Sequence, residues 1–187
     1  MMQSGARNRS IGLFLALIVF VIDQAIKFWV QFGLDLRAIG YVTVLPIFDL
    51  RWTENYGVSL GLFTAGSATE RWALVAMTAA IAIFVFVWLL RERKLPDVLA
   101  LALVLGGALG NIRDRVANGF VIDYADLHFG TFRPFLIFNL ADAAITIGVV
   151  IILARAFFVR DTAGQMMADS APAAHSDTHA RSAETKP

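Results

Sequence analysis

The sequence predicts a mainly α-helical integral membrane protein, with four transmembrane helices and a small extracytoplasmic β-sheet. Of the 187 residues, 58% are hydrophobic and 17% are charged, whereas soluble domains average about 45–50% apolar and about 25% charged residues. The apolar residues fall in long runs, and a helix needs roughly 20 of them to cross a bilayer. Most of the few charged residues lie between these runs.

The four apolar runs predict the positions of the transmembrane helices. The second run has no charged residue, the third is short and rich in small residues, and the fourth carries Asp142 and Arg155. From the lengths of the runs, we expect helices at about residues 11–30, 72–90, 98–112 and 135–159.

The first run has an alternative interpretation as a signal peptide, because Arg7 and Arg9 precede it. Asp23 and Lys27 interrupt the end of this run, and no A-x-A-like cleavage site follows at once. These features favour a transmembrane helix.

The distribution of lysine and arginine predicts the orientation in the membrane. Positive charges concentrate in cytoplasmic loops, and here they flank the first helix, the tight connection near residues 91–94 and the end of the fourth helix. Both termini are therefore expected in the cytoplasm, and the loops 31–71 and 113–134 are expected to face outward. Residues 1–160 are predicted to form one membrane domain, followed by a polar, disordered cytoplasmic tail at 161–187.

The first outward loop contains two strand-like stretches, at 41–45 and 48–53, with Pro46 between them. Both are rich in β-branched and aromatic residues. We expect a small sheet that lies on the outer membrane surface.

The polar residues of the predicted helices lie in the outer half of the bilayer. At 1.5 Å per residue, Asp23 and Lys27 lie about 18 and 24 Å from the inner end of the first helix, and Asp142 lies about 10 Å from the outer end of the fourth. Ionisable residues in spanning helices are costly and usually functional. Their distribution predicts a shallow outward pocket and disfavours a path across the membrane.

Two groups of polar residues have the spacing of a helix face. Asp23 and Lys27 are four residues apart and can form a structural ion pair, or Lys27 can extend to the lipid headgroups. Asn111, Asp114 and Arg115 follow Gly106 and Gly110, whose spacing permits close helix packing. We expect a polar network in which Arg115 holds a carboxylate or phosphate. The neighbouring Arg113 is interpreted as an interfacial anchor.

Asp123 and Asp142 are the candidate catalytic residues. Asp123 lies among large apolar residues in an outward loop, and Asp142 follows Asn139 at shallow depth in the fourth helix. Two carboxylates in an apolar pocket do not readily both ionise, so they hold one proton between them. The ionised member can accept a proton from water while the protonated one polarises a carbonyl. This is the chemistry of aspartic peptide hydrolysis.

Other chemistries are disfavoured by the composition. The chain has no cysteine and no H-E-x-x-H motif, so thiol and zincin-type catalysis are not expected. The formal net charge of +1 gives no indication of nucleic-acid binding. Gly57-Val58-Ser59-Leu60-Gly61 matches the G-x-S-x-G pattern of a nucleophile elbow, but that elbow requires an α/β sheet and a histidine base.

The chain resembles the lipoprotein signal peptidase (signal peptidase II) family from Asp23 to about Ile145. Each motif is weak by itself, but together, at these spacings, they are specific. The matching motifs are Asp23 with Lys27, Asn55-Tyr56-Gly57, Gly110-Asn111 with Asp114-Arg115, Val121-Ile122-Asp123-Tyr124, and Phe138-Asn139-Leu140-Ala141-Asp142.

The resemblance implies a monomeric aspartic endopeptidase of the bacterial inner membrane, with a periplasmic β-cradle and an outward-facing active site. It implies cleavage of diacylglyceryl-modified prolipoproteins before the lipidated cysteine, contact with membrane lipids, inhibition by globomycin, and neither metal nor cofactor. By motif, Asp123 and Asp142 resemble the catalytic dyad. Substrate-binding or supporting roles are implied for Asn55, Gly57, Asn111, Asp114, Arg115, Asn139, Asp23 and Lys27.

One motif departs from the family pattern, and two other functions remain as alternatives. Val58-Ser59-Leu60 stands where the family usually has Ala-Ala-Phe, which affects the expected shape of the pocket. A small ion-coupled transporter predicts polar groups at the midplane and across both halves of the membrane. A non-catalytic assembly factor predicts that asparagine is tolerated at both Asp123 and Asp142.

Overall fold

The computed structural model describes residues 2–57 and 68–169. Within these residues, four helices are long and apolar enough to cross a membrane: Gly5–Gly33, Ala68–Arg91, Leu95–Asn118 and Leu140–Phe157. The four-helix prediction is therefore confirmed.

The complete order of elements includes short helices and three strands in addition to the spanning helices. A π-helical turn at Trp29–Gly33 follows the first helix. The helices are α1 (Met2–Phe28), α2 (Leu36–Ile39), α3 (Ala68–Arg91), α4 (Leu95–Asn118) and α5 (Leu140–Asp169), and the strands are β1 (Tyr41–Leu45), β2 (Phe48–Asn55) and β3 (Val121–Leu127).

Helix α4 is longer than the predicted 98–112 at both ends. It begins before Val98 because Pro96 lies in its first turn, where a missing N–H costs nothing. It continues through the polar residues 113–118 and ends at Gly119, whose positive φ of 89° and N–H bond to the Arg115 carbonyl form a C-terminal cap. The polar end of this helix therefore reaches the sheet.

Helix α5 begins and ends later than the predicted 135–159. The residues just before Leu140 are not helical, because Phe138 pairs with Ala125 of β3 through backbone hydrogen bonds. At the other end the helix continues through Asp169, past residue 160 where the tail is expected to begin. The segment includes Ala163, Gln165 and Met166, which favour helix. The rest of the predicted tail, 170–187, lies outside the described residues.

Helix α4 is the centre of the bundle and packs against α1, α3 and α5. Its glycines permit this packing: a Cβ on Gly106 would lie 2.5 Å from the Ala16 carbonyl oxygen of α1. The apolar core formed by these helices consists of Ala16, Ala82, Val85, Leu89, Val98, Leu101, Ala102, Val104 and Leu105. Large apolar side chains such as Phe14 and Phe84, each 65% exposed, point away from it.

The three strands form one antiparallel sheet in the order β1-β2-β3. In the register of β2 and β3, Thr53 pairs with Asp123 and Asn55 pairs with Val121. The sheet packs through Tyr124 and Ala125 onto Val30 and Leu36, which follow α1. The small sheet is confirmed, and it holds Asp123 at the end of the bundle where α4 ends and α5 begins.

Candidate active site

Asp123 is fixed in the sheet by two amide side chains. Its side chain is buried, with the residue 1% exposed. Oδ2 accepts a hydrogen bond of 2.9 Å from Nδ2 of Asn55 at the end of β2. Oδ1 accepts a bond of 2.6 Å from Nδ2 of Asn139, the residue before α5. The carboxylate therefore joins the sheet to the start of a transmembrane helix.

Asp142 lies in the first turn of α5, where it forms a reciprocal cap with Asn139. The Asp142 backbone N–H donates to Oδ1 of Asn139 at 2.9 Å, and the Asn139 backbone N–H donates to Oδ2 of Asp142 at 3.3 Å. This arrangement is a capping box with asparagine and aspartate in place of the commoner residues. The N-terminal end of the α5 helix dipole, which is positive, therefore lies beside the Asp142 side chain.

Asn111 of α4 completes the connection between the two aspartates. Its Nδ2 donates to Oδ1 of Asp142 at 2.8 Å, and its Oδ1 accepts from Nδ2 of Asn139 at 3.2 Å. The same oxygen accepts a bond of 3.3 Å from Nζ of Lys27. Since every polar atom of both amides has a partner, the amide orientations are fixed, and each faces a carboxylate with its NH2 group.

The environment of Asp123 favours its protonated form. Burial, and after it the negative charge of Asp142, raises the pKa of Asp123 to about 6, against the hydrogen bonds from Asn55 and Asn139. Burial also raises the pKa of Tyr124 above its ordinary value. The Tyr124 hydroxyl accepts a hydrogen bond of 3.2 Å from the Leu140 N–H, next to the cap of α5.

A second buried network lies beneath the aspartates. Nζ of Lys27 contacts Oδ2 of Asp23 and Oδ2 of Asp114, each at 2.8 Å. Asp23 also accepts the Ala141 N–H at 3.0 Å, which ties α1 to the start of α5. All three charged side chains are buried. The expected ion pair of Asp23 and Lys27 is therefore present, with Asp114 as an additional partner.

Gln24 is a member of this network that the sequence did not indicate. Its Nε2 donates to Oδ2 of Asp23, to Oδ1 of Asp114 and to the Gly110 carbonyl, at 3.1 to 3.3 Å. Its position beside Asp23 gave no helical-face signal, because residues i and i+1 do not share a face.

Arg115 is placed differently from the network expected for it. Asp114 pairs with Lys27, and the Nε of Arg115 is buried without a hydrogen-bond partner among residues 2–57 and 68–169. The charges that attract Arg115 are those of Asp142, Asp123 and Asp114. The guanidinium therefore interacts electrostatically with the two aspartates, and its buried Nε–H is unpaired among the described residues.

Gly57 lies just after β2, at the edge of the site. Its N–H donates to Oδ1 of Asn55 at 2.9 Å, which holds the Asn55 amide toward Asp123. Its φ of +100° is strained for any residue with a side chain, and a Cβ would collide with Leu74. The next residues, Val58-Ser59-Leu60 and Gly61, lie outside the described residues, so the departure from the family pattern and the G-x-S-x-G stretch have no structural description here.

Two cavities reach the aspartates: Asp123 lines one and Asp142 lines the other. A cleft of about 690 Å³ is lined by Asn55, Gly57, Asp123 and the segment 133–137. An apolar groove of about 350 Å³ is lined by Asp142, Phe138, Thr146 and the same Phe135 and Leu136. Leu136 is 91% exposed. The site is thus open both to a peptide-sized cleft and to the lipid-facing surface.

The segment between β3 and α5 is held by charged residues that sequence reasoning did not bring together. Asp126 is fully buried and accepts from Nε of Arg51 at 3.0 Å and from Nε of Arg133 at 3.2 Å. Arg133 lines the cleft. Arg51 and Asp126 are 75 positions apart, and the register of β2 and β3 brings them together. Arg133 is 7 positions after Asp126 and follows the Phe129–Phe132 bridge, which turns the chain back. Among the described residues, no group of three or more His, Cys, Asp or Glu side chains is arranged to hold a metal ion.

Known proteins match most of the length of the chain. Residues 15–158 match a family model described as Signal peptidase (SPase) II. The chain is 50% identical over 161 residues to a "Lipoprotein signal peptidase" of Sphingopyxis alaskensis, which covers 86% of this chain and 92% of the relative. It is also 50% identical over 161 residues to a protein of that name from Rhizorhabdus wittichii, covering 86% and 94%.

Solved structures show the same fold. One, described as "Bacterial membrane enzyme structure by the in meso method at 1.9 A resolution", has a TM-score of 0.69 and 26% identity. The match covers 80% of this chain and 94% of that one. A second, described in the same words at 2.3 A resolution, has a TM-score of 0.64 and covers 83% and 92%.

Proposed function

Since the chain belongs to the signal peptidase II family, a family of proteases that process lipoproteins, we propose that it cleaves by an aspartic mechanism. Asp123 and Asp142 are the catalytic residues. The observation that carries the proposal is that both carboxylates bind to one pair of amides, Asn111 and Asn139, at the open outer end of the bundle. The alternatives of a transporter and an assembly factor find no support in this family.

In the proposed mechanism, Asp123 begins protonated and Asp142 begins ionised. The pKa of about 6 leaves roughly one Asp123 side chain in ten protonated at pH 7, far more than the ordinary aspartate pKa would. A water bound between them attacks the scissile carbonyl carbon and gives a proton to Asp142, while Asp123 gives its proton to the carbonyl oxygen. The tetrahedral diol then returns a proton to Asp123, the C–N bond breaks, and Asp142 protonates the leaving amine. Both aspartates end in their starting states.

The remaining polar residues position the substrate. The cleft beside Asn55 and Gly57 has the size and mixed lining that a peptide segment requires. The free N–H of Arg115 is suited to a substrate carbonyl near the scissile bond. The apolar groove beside Asp142 opens to the lipid-facing surface, which suits the diacylglyceryl group of a prolipoprotein.

The geometry and the family also support a proposal for the substrate and the location. We propose cleavage of diacylglyceryl-modified prolipoproteins directly before the lipidated cysteine. The protein acts as a monomer in the bacterial inner membrane, with both termini in the cytoplasm and the site toward the periplasm. Globomycin is expected to inhibit it. The lipid of the substrate then lies in the outer leaflet, at the level of Asp142.

Single substitutions of the two aspartates test this proposal. Purified Asp123→Asn and Asp142→Asn proteins are incubated with a lipidated prolipoprotein, and the released signal peptide is measured. Asp35→Asn is the matched control, because Asp35 is exposed and its positive φ of 49° is one that asparagine adopts easily. We expect cleavage by the control and none by the two variants. Normal cleavage by either folded variant would exclude the aspartic dyad, and no cleavage by the purified wild-type protein is what a non-catalytic assembly factor would give.

A further inference from the structure

A partly polar cavity of about 490 Å³ lies between α1 and α4, away from the proposed catalytic residues. Its lining includes Gln24, Arg113 and Asn118, together with Phe28 and Phe32. Both phenylalanines are 65% exposed, so the cavity opens toward the membrane. Asp123 and Asp142 line other cavities.

Buried polar atoms at this cavity lack partners within the described part of the chain. They are Oε1 of Gln24, an acceptor, and Nδ2 of Asn118, a donor. Buried polar groups are nearly always hydrogen-bonded in folded proteins, so an unpaired donor and acceptor at one cavity indicate a missing ligand or water. Arg113 adds a positive charge: its side chain is 56% exposed, and its only ion pair within the described residues is a 3.8 Å contact with Asp114. Its guanidinium therefore retains donors for an anion.

An apolar groove of about 430 Å³ continues from this cavity toward the middle of the membrane. It is lined by Leu13 and Leu17 of α1, Ala79 of α3 and Leu105 of α4, and Phe20 lines both the groove and the cavity. Along α1 the groove extends from Leu13 to Phe20 and the cavity from Phe20 to Phe32. The polar end therefore lies at the outer ends of the helices and the apolar end lies deeper, as in an amphiphile of the outer leaflet.

We propose that this surface binds one glycerophospholipid of the outer leaflet. The phosphate lies against Arg113 and the amide of Asn118, because guanidinium and amide N–H groups are good phosphate donors. An acyl chain lies along the groove at Leu13 and Ala79, and the Gln24 oxygen accepts a hydrogen bond from the headgroup. Asp123 and Asp142 do not line this cavity, so the phospholipid site is separate from the catalytic cleft, whereas its placement in the outer leaflet rests on the proposed orientation of the helices.

Lipid titration of the delipidated full chain in detergent tests this proposal. Native mass spectrometry with dioleoylphosphatidylglycerol is expected to show one saturable lipid, and saturation is expected to raise the melting temperature. Arg113→Gln is expected to weaken binding about tenfold, the effect of losing one charge-assisted hydrogen bond. Ala79→Phe, which fills the groove, is expected to weaken binding too. Arg91→Gln, at the inner end of α3, is the control and keeps full affinity.

Two further ligands distinguish a lipid site from a site that binds anions alone and from a nonspecific apolar surface. Inorganic phosphate alone is expected to leave the melting temperature unchanged, because the groove stays empty. Dioleoylglycerol, which has the chains without the phosphate, is expected to bind about tenfold more weakly than the phospholipid. Equal affinity of the wild type and Arg113→Gln overturns the proposal. So does a thermal shift from phosphate that equals the shift from the lipid.

Discussion

Asn139 donates a 2.6 Å hydrogen bond to Oδ1 of Asp123 and accepts the backbone N–H of Asp142 at 2.9 Å. One amide therefore caps a transmembrane helix and holds a carboxylate of the sheet. Because the same side chain serves both, the position of one aspartate relative to the other depends on the cap of α5.

Substitution of Asn139 separates the cap from the catalytic contact. Asn139→Ser keeps an N-cap side chain, whereas Asn139→Ala loses it and is expected to cost about 1 kcal/mol of stability. Neither side chain reaches Asp123, so both variants are expected to lose roughly 10²-fold in kcat/KM, the effect of a misplaced catalytic group. Melting temperature and cleavage rate are measured on the same samples. Full activity in the stable Asn139→Ser variant would remove the positioning role.

Activity is expected to fall as the pH rises through about 6. In the proposed mechanism Asp123 must be protonated in the free enzyme, and its pKa is raised to about 6. Above that pH the proton is lost, so kcat/KM decreases on the alkaline side. The measurement is the initial cleavage rate of a lipidated prolipoprotein from pH 4.5 to 8.5 at subsaturating substrate. A rate that increases steadily to pH 8.5 is incompatible with Asp123 as the acid.

The raised pKa of Asp123 also predicts that the stability difference between the wild type and Asp123→Asn depends on pH. A folded-state pKa above the unfolded value means that the native state binds the proton more tightly, so stability falls as the pH rises from about 4 to about 6. Asp123→Asn removes this proton. Its melting temperature relative to the wild type is therefore expected to increase across that range and to level off above it. Asp35→Asn serves as the control, and a parallel pH response of Asp123→Asn and the wild type would contradict burial as the cause.

Removal of Lys27 is expected to be strongly destabilising. Lys27→Met leaves Asp23 and Asp114 buried without their cation, and breaking a buried ion pair in this way costs about 3–5 kcal/mol. A second change, Asp114→Asn, removes one of the two negative charges and is expected to recover part of the loss. Unfolding in detergent is followed for both variants. Additive losses in the double variant would mean that Lys27 and Asp114 are not coupled.

Alanine substitutions at Gly57 and Gly130 can be compared to test whether the backbone at Gly57 positions the site. Both have positive φ, but a Cβ at Gly57 would collide with Leu74, whereas a Cβ at Gly130 meets nothing within 4 Å. Gly57→Ala is therefore expected to displace Asn55 and reduce cleavage, while Gly130→Ala keeps near-normal cleavage. Strain at such positions costs of order 1–3 kcal/mol. Equal activities of the two variants would show that Gly57 does not fix the site.

The sequence predicted the helices best where the membrane constrains their composition. The uncharged run at 72–90 corresponds to α3 at Ala68–Arg91, because a spanning helix must be apolar and internally hydrogen-bonded. The 135–138 stretch is equally apolar, yet it is not helical. Its Phe138 satisfies its backbone groups by pairing with Ala125 of β3, a contact that apolar periodicity does not reveal.

Contacts between residues far apart in the sequence also explain which ion pairs of the polar network were not predicted. Helical spacing indicated that Asp23 and Lys27 are neighbours, and they are. Spacing also grouped Asp114 and Arg115 with Asn111, but the 2.8 Å ion pair of Asp114 is with Lys27 of another helix. A local pattern identifies which face a residue occupies, whereas the packing of α1 on α4 decides which charge it meets.

A double-mutant cycle on the two aspartates is the most direct test of the catalytic dyad. Single-turnover cleavage of a lipidated prolipoprotein is measured for Asp123→Asn, Asp142→Asn and the double variant, with enzyme in excess. Residues that act as one unit are not additive. We therefore expect each single variant to lose at least about 10²-fold, and the double variant to be no slower than the slower single one. A wild-type rate in either single variant, or losses that multiply in the double variant, would contradict the account.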